Sequence, residues 1–238
     1  LPIASLAGSE QARRMYGYGP FTEEMLRAAA PLAIRRVSLP GILDAFFFDP
    51  TYRYVVGAEQ GTGHVDVIDL EAGTVAARLD LPGLPHLGSG ISWRRDGRLL
   101  MATPNLQRGV VTIIDATDWR VVTEVETPGP GFFMRSHENA PDAWVDASMR
   151  PSRDPLVLID RPTLAVRTQI TPVPGKTANH VEFDRSGRHA LVSVYEYDGE
   201  LVVYDAKTLA VVKRLPMRKP SGKYNVFNKI SRSEGTSH

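Results

Sequence analysis

The feature that most constrains the fold is a short, mainly apolar run that ends in aspartate and recurs four times along the chain. The runs occupy residues 65–69, 111–115, 156–160 and 201–205. Their final aspartates are separated by 46, 45 and 45 residues. A fixed period of this length is typical of repeat architectures in which each repeat is one supersecondary unit. The chain is therefore expected to be built from four equivalent units.

Each repeat carries the same succession of four short β-rich segments separated by turn residues. In the second repeat, residues 91–93 precede the turn Asp96-Gly97-Arg98, and the segment 99–101, the aspartate run and the segment 119–127 follow. Four short strands bounded by Gly, Pro, Asp and Asn are typical of one propeller blade. The sequence predicts an all-β fold, a β-propeller of four-stranded blades, with four blades within residues 41–238. The recurring aspartates are interpreted as turn caps between the third and fourth strands.

The two ends of the chain depart from the repeat. Residues 1–40 are expected to form the end of an upstream blade with a short helix, because Thr22 can cap an Ala- and Leu-rich run that stops at Pro31. Residues 217–230 are expected to close the ring and to enter an innermost strand at about residues 224–227. Since open strand edges invite association, we expect either further blades upstream of Leu1, in an N-terminally truncated propeller, or assembly of chains.

Composition excludes several classes of function. The chain has no cysteine, which excludes disulfides, thiolate zinc sites, iron–sulfur clusters and the attachment motif of a c-type haem. Lys plus Arg (28) nearly equals Asp plus Glu (27), so nothing demands a nucleic acid or an acidic membrane as partner. No apolar run is long enough to span a membrane, and the N-terminus lacks a signal-peptide pattern. We expect a folded soluble protein.

Propeller topology sorts the polar residues by face. The loop that precedes an innermost strand, called here the leading loop, lies on the same face as the loop between the second and third strands. His86 and His180 belong to the leading loops of the second and fourth repeats and are therefore expected on one rim. Imidazoles at the mouth of a channel can exchange protons or ligate a metal. His137 follows an innermost strand and is expected on the opposite face, without a chemical role.

Further polar residues are expected on the rim that carries His86 and His180. Asn105 and Arg108 lie on the loop between the second and third strands of the second repeat, and Lys176 lies on the leading loop of the fourth. The two cations suit a ligand that bears carboxylates. Tyr224 could offer a phenol to the same mouth. The alternative interpretations are solvated loop residues for the histidines and cations, and a packing role for Tyr224.

Several motifs together resemble the haem d1-binding propeller family, whose members include domains like the C-terminal domain of cytochrome cd1 nitrite reductase. The resemblance covers roughly residues 40–238 and implies an eight-bladed ring when complete, haem d1 or dihydro-haem d1 as cofactor or substrate, and a periplasmic location. The motifs that carry it are Pro85-His86-Leu87-Gly88-Ser89-Gly90, Phe132-Phe133, Ser136-His137, Val181-Glu182-Phe183 and Gly222-Lys223-Tyr224-Asn225-Val226.

Within this family the chain is more similar to the dihydro-haem d1 dehydrogenases than to the nitrite reductases. Nitrite reductases use two rim histidines; one matches His86, but the other would fall near Asp44, and they have no histidine at the position of His180. The dehydrogenases of haem d1 biosynthesis oxidise a propionate side chain to an acrylate and carry a c-type cytochrome domain. The resemblance implies catalytic and cofactor-binding roles for His86, His180 and Tyr224, and makes His180 or His86 a candidate haem-iron ligand.

The resemblance also implies partners and leaves alternatives open. Asn105, Arg108 and Lys176 become candidate cofactor contacts, and a c-type cytochrome domain or other electron acceptor and other haem d1 maturation proteins become candidate partners. A c-type haem would belong only to a domain outside this chain, so the chain alone is expected to be an incomplete oxidoreductase. The alternatives are a nitrite reductase-like domain that converts nitrite to nitric oxide, and a non-catalytic propeller that binds or carries a tetrapyrrole or a protein. The sequence leaves open which histidine meets the iron and the oligomeric state.

Overall fold

A computed structural model describes residues 37–39, 41–149, 153–231 and 234–235. The helix predicted near residues 22–30, and most of the upstream strand predicted at 32–39, lie outside these residues. No helix in the described part of the chain is long and apolar enough to cross a membrane.

The described residues form four antiparallel sheets, each made of four strands that neighbour one another in chain order. We call the sheets blades 1 to 4. Blade 1 contains β1 (Leu43–Phe48), β2 (Tyr54–Glu59), β3 (His64–Asp69) and β4 (Thr74–Asp80); blade 2 contains β5 (Ile91–Arg95), β6 (Arg98–Pro104), β7 (Val110–Asp115) and β8 (Arg120–Glu126); blade 3 contains β9 (Met134–Arg135), β10 (Asp142–Asp146), β11 (Leu156–Asp160) and β12 (Ala165–Ile170); and blade 4 contains β13 (Ala178–Phe183), β14 (His189–Val194), β15 (Glu200–Asp205) and β16 (Val211–Pro216). A 3-10 turn, Leu87–Ser89, precedes β5, and a helix α1, Val226–Ser231, follows blade 4.

Neighbouring blades share their hydrophobic cores. One buried cluster joins blades 1 and 2, a second joins blades 2 and 3, and a third joins blades 3 and 4. Strand β10 shows how this arises, because alternate residues of a strand point to opposite faces. Trp144 belongs to the cluster shared with blade 4, whereas Ala143 and Val145 belong to the cluster shared with blade 2. Sheets that pack face to face in succession are blades of a β-propeller, and the predicted four blades are confirmed.

The recurring aspartates cap turns as predicted. Asp69 accepts hydrogen bonds from the backbone N–H groups two and three residues later, at 2.8 and 3.0 Å. Asp160 and Asp205 each accept from the N–H and the hydroxyl of the threonine three residues later. These bonds satisfy the backbone of each hairpin between the third and fourth strands. The repeated aspartates are scaffold.

The prediction of an innermost strand at about residues 224–227 is wrong, because helix α1 begins at Val226. Asn225 explains the difference. Its Oδ1 accepts a hydrogen bond from the N–H of Asn228 at 3.1 Å, which is the role of an N-cap side chain. Its Nδ2 donates to the carbonyl of Phe183 at 3.0 Å, so this part of the chain lies beside β13.

The chain beyond blade 4 also reaches two other blades. The N–H of Gly235 donates to the carbonyl of Ser92 in β5 at 2.7 Å, and its carbonyl accepts from the N–H of Ser136 at 3.0 Å. We call the described residues 217–231 and 234–235 the tail segment. It therefore contacts blades 2, 3 and 4.

Candidate functional site

His86 lies on the leading loop of blade 2, immediately before the 3-10 turn Leu87–Ser89, as predicted. Its backbone N–H donates to the carbonyl of Pro104 at 2.8 Å, which ties the loop to β6. Its Nδ1 lies 2.6 Å from the carbonyl oxygen of Phe132. Because a carbonyl only accepts, Nδ1 carries the proton and Nε2 keeps its lone pair in the neutral ring. Burial lowers the pKa of His86, although the bond to Phe132 opposes this effect.

His180 lies inside strand β13, two residues after its start, and not on the leading loop where the sequence placed it. The pairing of β13 with β14 shifts register between Asn179 and Glu182, and His180 has a φ of 50°. Such a left-handed conformation is uncommon for a residue other than glycine, and a bulge of this kind re-aims a side chain. The bulge leaves no signature in the sequence, which explains the error. His180 still lies at the rim end of the strand.

The aromatic rings of five residues form a continuous row that joins the two histidines. The ring centroids of His86 and Phe132 are 4.2 Å apart, those of Phe132 and Phe133 are 4.5 Å apart, and those of Phe133 and His180 are 4.4 Å apart. Tyr224 then meets His180 edge to face, with 5.5 Å between the centroids. The structure thus brings His86, His180 and Tyr224 into one constellation. Blade 3 supplies the two phenylalanines that connect them.

The two phenylalanines are held by a buried carboxylate that the sequence did not reveal as a site residue. Strand β9 begins only at Met134, so Phe132 and Phe133 lie on the leading loop of blade 3. Asp146, at the end of β10, accepts from the N–H of Phe132 at 2.7 Å and from the N–H of Phe133 at 3.0 Å. It also accepts from the hydroxyl of Ser148 at 3.0 Å. The sequence Asp146-Ala147-Ser148, with its polar turn residues after a strand, is the signal that could have found it.

A cavity of about 520 Å³ opens between blades 3 and 4 and the tail segment. Within the described part of the chain, no group hydrogen-bonds the buried Nδ1 of His180 or the buried Oδ1 of Asn179, and both residues line the cavity. Buried polar atoms without partners are costly, by about 1–3 kcal/mol each, and they mark places where a ligand can bind. Other residues that line the cavity are Phe132, Phe133, Thr177, Tyr195 and Tyr224.

Electrostatics keep His180 neutral. Burial lowers its pKa to about 4, and the positive charges of Lys223 and Arg135 act in the same direction. Lys223 donates a hydrogen bond from Nζ to Oγ of Ser193, and burial lowers its own pKa to about 8 against the attraction of Glu182. At neutral pH the imidazole of His180 is therefore an uncharged proton acceptor near the half-buried ammonium of Lys223.

Four of the predicted site residues do not line the cavity: His86, Asn105, Arg108 and Lys176. Arg108 makes two hydrogen bonds to Glu124, at 2.8 and 2.9 Å, and Lys176 lies 2.7 Å from Oδ2 of Asp198. Asn105 is buried, and its side chain bonds only backbone atoms of the surrounding loops, among them the carbonyl of Pro82 at 2.9 Å and the N–H of Leu84 at 3.1 Å. Its role in ligand binding, like that of the two cations, stays a prediction.

His137 is buried on the opposite side, as predicted. Its Nδ1 accepts from the N–H of Asn139 at 3.1 Å, and its Nε2 lies 3.2 Å from the carbonyl of Arg185 in the turn between β13 and β14. That turn lies at the end of blade 4 away from His180. His137 therefore joins blades 3 and 4 and has no part in the row of rings.

Comparison with known proteins identifies the family. A sequence profile of the family described as Cytochrome D1 heme domain matches residues 26–229. The chain belongs to the cytochrome D1 heme domain family. The match includes all four blades, the row of rings from His86 to Tyr224, and helix α1 up to residue 229.

This cytochrome D1 heme domain is similar in sequence to two curated proteins. Dihydro-heme d1 dehydrogenase of Pseudomonas aeruginosa is 52% identical over 208 residues, which are 87% of this chain and 42% of that protein. Nitrite reductase of Stutzerimonas stutzeri is 25% identical over 77% of this chain and 39% of that protein. The chain thus spans about two fifths of the length of either relative.

The chain is also similar in three dimensions to solved structures. Dihydro-heme d1 dehydrogenase NirN, solved in complex with DHE, superposes with a TM-score of 0.81 at 52% identity, over 84% of this chain and 43% of that one. A hydrazine synthase of Kuenenia stuttgartiensis superposes with a TM-score of 0.61 at 15% identity, over 83% of this chain and 55% of that one. The second likeness shows the fold alone.

Proposed function

We propose that this cytochrome D1 heme domain binds dihydro-haem d1 and takes part in oxidising one of its propionate side chains to an acrylate, a step of haem d1 biosynthesis. One observation carries the proposal: the neutral imidazole of His180 packs against the phenol ring of Tyr224 in a cavity that Phe132 and Phe133 also line. The Nδ1 atom of this imidazole has no hydrogen-bond partner within the described residues. The likeness to a dihydro-heme d1 dehydrogenase over 87% of the chain supports it.

The residues of the site fit a tetrapyrrole. A flat macrocycle needs apolar ring surface, which Phe132 and Phe133 supply in half-buried positions. Its iron needs a lone pair, and His86 presents one at Nε2 because Nδ1 is bonded to a backbone carbonyl. This is the usual arrangement of a metal-bound histidine, whose second nitrogen donates to a carbonyl or carboxylate. It favours His86 over His180 as the candidate haem-iron ligand.

His180 and Tyr224 are proposed to perform the proton chemistry. Forming a carbon–carbon double bond in a propionate removes two electrons and two protons. When bound, the macrocycle supplies the route for the electrons. His180, neutral at physiological pH, accepts one of the two protons from the propionate, and the second proton passes to solvent at the open mouth of the cavity. Tyr224 keeps 62% of its surface exposed and can donate its hydroxyl to the carboxylate that must be held in place.

The rim residues are proposed as outer contacts. Arg108 and Lys176 each pair with a carboxylate at the surface, and such pairs contribute little to stability, so a ligand carboxylate can replace Glu124 or Asp198 at small cost. Asn105 acts on the ligand through the loop that carries His86. We further propose a c-type cytochrome domain or another electron acceptor as the partner that takes the electrons, contact with other haem d1 maturation proteins, and a periplasmic location.

The substitution His180→Asn tests this function. Asparagine tolerates a positive φ better than other residues, so the bulge of β13 should survive the change. We expect conversion of dihydro-haem d1 to haem d1, followed by absorbance in the presence of an electron acceptor, to fall at least about 100-fold, the lower end of what a general base contributes. Binding of dihydro-haem d1 should change by less than about threefold.

His64→Asn is the matched control. His64 lies in β3 of blade 1 and pairs at the surface with Asp80, at 2.8 Å, so its replacement should leave conversion unchanged. Unimpaired conversion by His180→Asn would remove the proposed base. Absence of dihydro-haem d1 binding by the unsubstituted protein would overturn the proposed function itself.

A further inference from the structure

The tail segment places Tyr224 without regular secondary structure. Residues 217–225, all of them described, belong to no strand or helix. The ring of Tyr224 is mostly exposed, and its contact with His180 is an edge-to-face one. An exposed side chain on irregular backbone samples many rotamers, yet a group that must meet a reacting carboxylate has to be held in one geometry. Something else must restrict Tyr224.

The residues on either side of Tyr224 are both fastened to blade 4. Lys223 turns inward and donates from Nζ to Oγ of Ser193, which is fully buried in β14 and pairs with Asn179 of the cavity wall. Asn225 donates to the carbonyl of Phe183 at 3.0 Å. Tyr224 lies between these two anchored residues, and its side chain lines the cavity.

The bond from Lys223 to Ser193 uses a charged group that is partly removed from solvent. Lys223 is half-buried, and its ammonium lies among charges of both signs. Glu182 attracts it, whereas the buried Arg135 is a second cation, whose Nε lies 3.5 Å from the same glutamate. Burying a charge costs free energy, and apolar side chains of similar volume often replace buried charges without loss of stability. A methionine could fill this space. We therefore expect Lys223→Met to fold.

We propose that Lys223 is a positioning residue for Tyr224, which holds the phenol against His180 by tying the tail segment to Ser193. Lys223 acts through Tyr224 and does not touch the substrate. The inference deepens the proposed function, on which the catalytic importance of Tyr224 rests. The placement of the ring can nevertheless be measured without any ligand.

Fluorine NMR of the ligand-free protein labelled with 3-fluorotyrosine gives the test. The chain has eight tyrosines, and the resonance that disappears in Tyr224→Phe identifies residue 224. Lys223→Met and Ser193→Ala each remove the same hydrogen bond from opposite sides. We expect either substitution to move the Tyr224 resonance toward the position of free fluorotyrosine. The double substitution should add nothing further, because both changes delete one interaction.

Lys219→Met is the control. Lys219 belongs to the same tail segment, but its ammonium lies over the rings of Tyr195 and Tyr197, at 5.3 and 4.1 Å from their centroids. Its replacement should move the resonances of those two tyrosines and leave that of Tyr224 in place. Turnover gives a second readout. In Lys223→Met, kcat should fall about tenfold with KM changed less than about twofold, as expected when a reacting group loses its orientation.

Two results would overturn the inference. One is a Tyr224 resonance that stays in place in Ser193→Ala, a small change within a strand that should fold even if Lys223→Met does not. The other is a loss of thermal stability in Lys223→Met with unchanged placement of Tyr224, which would make Lys223 merely structural. If the unsubstituted protein fails to convert dihydro-haem d1 while the resonance moves as expected, the proposed function fails and the positioning role stands.

Discussion

The imidazole of His180 and the phenol ring of Tyr224 meet edge to face, with 5.5 Å between their centroids. One ring comes from a bulge in the innermost strand of blade 4 and the other from the tail segment. The histidine is 4% exposed and the tyrosine 62% exposed. The pair therefore joins a desolvated proton acceptor to a hydroxyl that a ligand can reach.

Removing the hydroxyl of Tyr224 should separate catalysis from folding. In Tyr224→Phe, we expect conversion of dihydro-haem d1 under single-turnover conditions to fall about 100-fold. The melting temperature should stay within about 1 °C, because surface changes away from buried networks cost little. Tyr197→Phe, a similarly exposed tyrosine on the same rim, should leave conversion intact. Equal rates in the two variants would rule out a role for the Tyr224 hydroxyl.

The pKa of His180 should appear in the stability of the protein. It is about 4 in the folded chain, against 6.5 for an ordinary histidine, so between these values the unfolded chain binds more protons than the folded chain. The free energy of unfolding contributed by this group is therefore complete above pH 6.5 and is lost as the pH falls through the window to 4. The loss amounts to about 3 kcal/mol, at 1.36 kcal/mol per pKa unit.

Urea unfolding between pH 4 and 7 measures this contribution. His180→Asn lacks the titrating group, so its free energy of unfolding should fall less steeply with decreasing pH than that of the unsubstituted protein. The lowered pKa of His86 is present in both proteins and cancels from the difference. Parallel curves for the two proteins would mean that the pKa of His180 is not depressed.

Asp146 should support the ligand as well as the fold. In Asp146→Asn, one of the two N–H groups of Phe132 and Phe133 faces an NH2 group and loses its acceptor, which costs about 1–3 kcal/mol. Because both phenylalanines wall the cavity, affinity for dihydro-haem d1 should fall as well, by about tenfold or more. Equilibrium titration and urea unfolding measure the two effects.

A turn aspartate in blade 1 provides the control for Asp146. Asp49 is buried and accepts from the N–H groups of Thr51 and Tyr54, at 3.0 and 2.7 Å, but it lies far along the chain from the row of rings. Asp49→Asn should cost similar stability and leave ligand affinity unchanged. A matching loss of affinity in both variants would show that Asp146 acts only through global stability.

Gly235 should tolerate no side chain. Its φ is 88°, and a Cβ would lie 2.4 Å from the carbonyl carbon of Ser136. Gly235→Ala should therefore break the backbone bonds to Ser92 and Ser136 and speed hydrogen exchange at the N–H of Ser136 at least about tenfold. Gly73→Ala shares the positive φ, at 70°, but meets nothing within 4 Å. It should cost only about 1 kcal/mol from backbone strain and leave that exchange rate alone. Equal exchange rates in the two variants would contradict the close contact.

The blades were predictable because their determinants are local. A turn aspartate satisfies the backbone of its own hairpin, so its recurrence is visible in the sequence, and blade topology then assigns His86 to a rim. The helix start was missed, because residues 224–227 were interpreted as a strand although Asn225 is a favourable N-cap residue. Contacts that depend on how neighbouring strands and their loops pack within a blade were not predictable. Asp146 reaches Phe132 and Phe133 across a turn of the chain, and the bulge at His180 depends on pairing with β14, so both are properties of the packed molecule.

The segment that carries Tyr224 follows all four blades along the chain, and this order has a consequence for how the polypeptide folds during its synthesis. During translation each blade can form from residues that are already outside the ribosome, because its strands are adjacent in sequence. The row of rings lacks its phenol until the tail segment emerges and settles on Ser193 and Ser92. The four blades can therefore fold before the row of rings is complete.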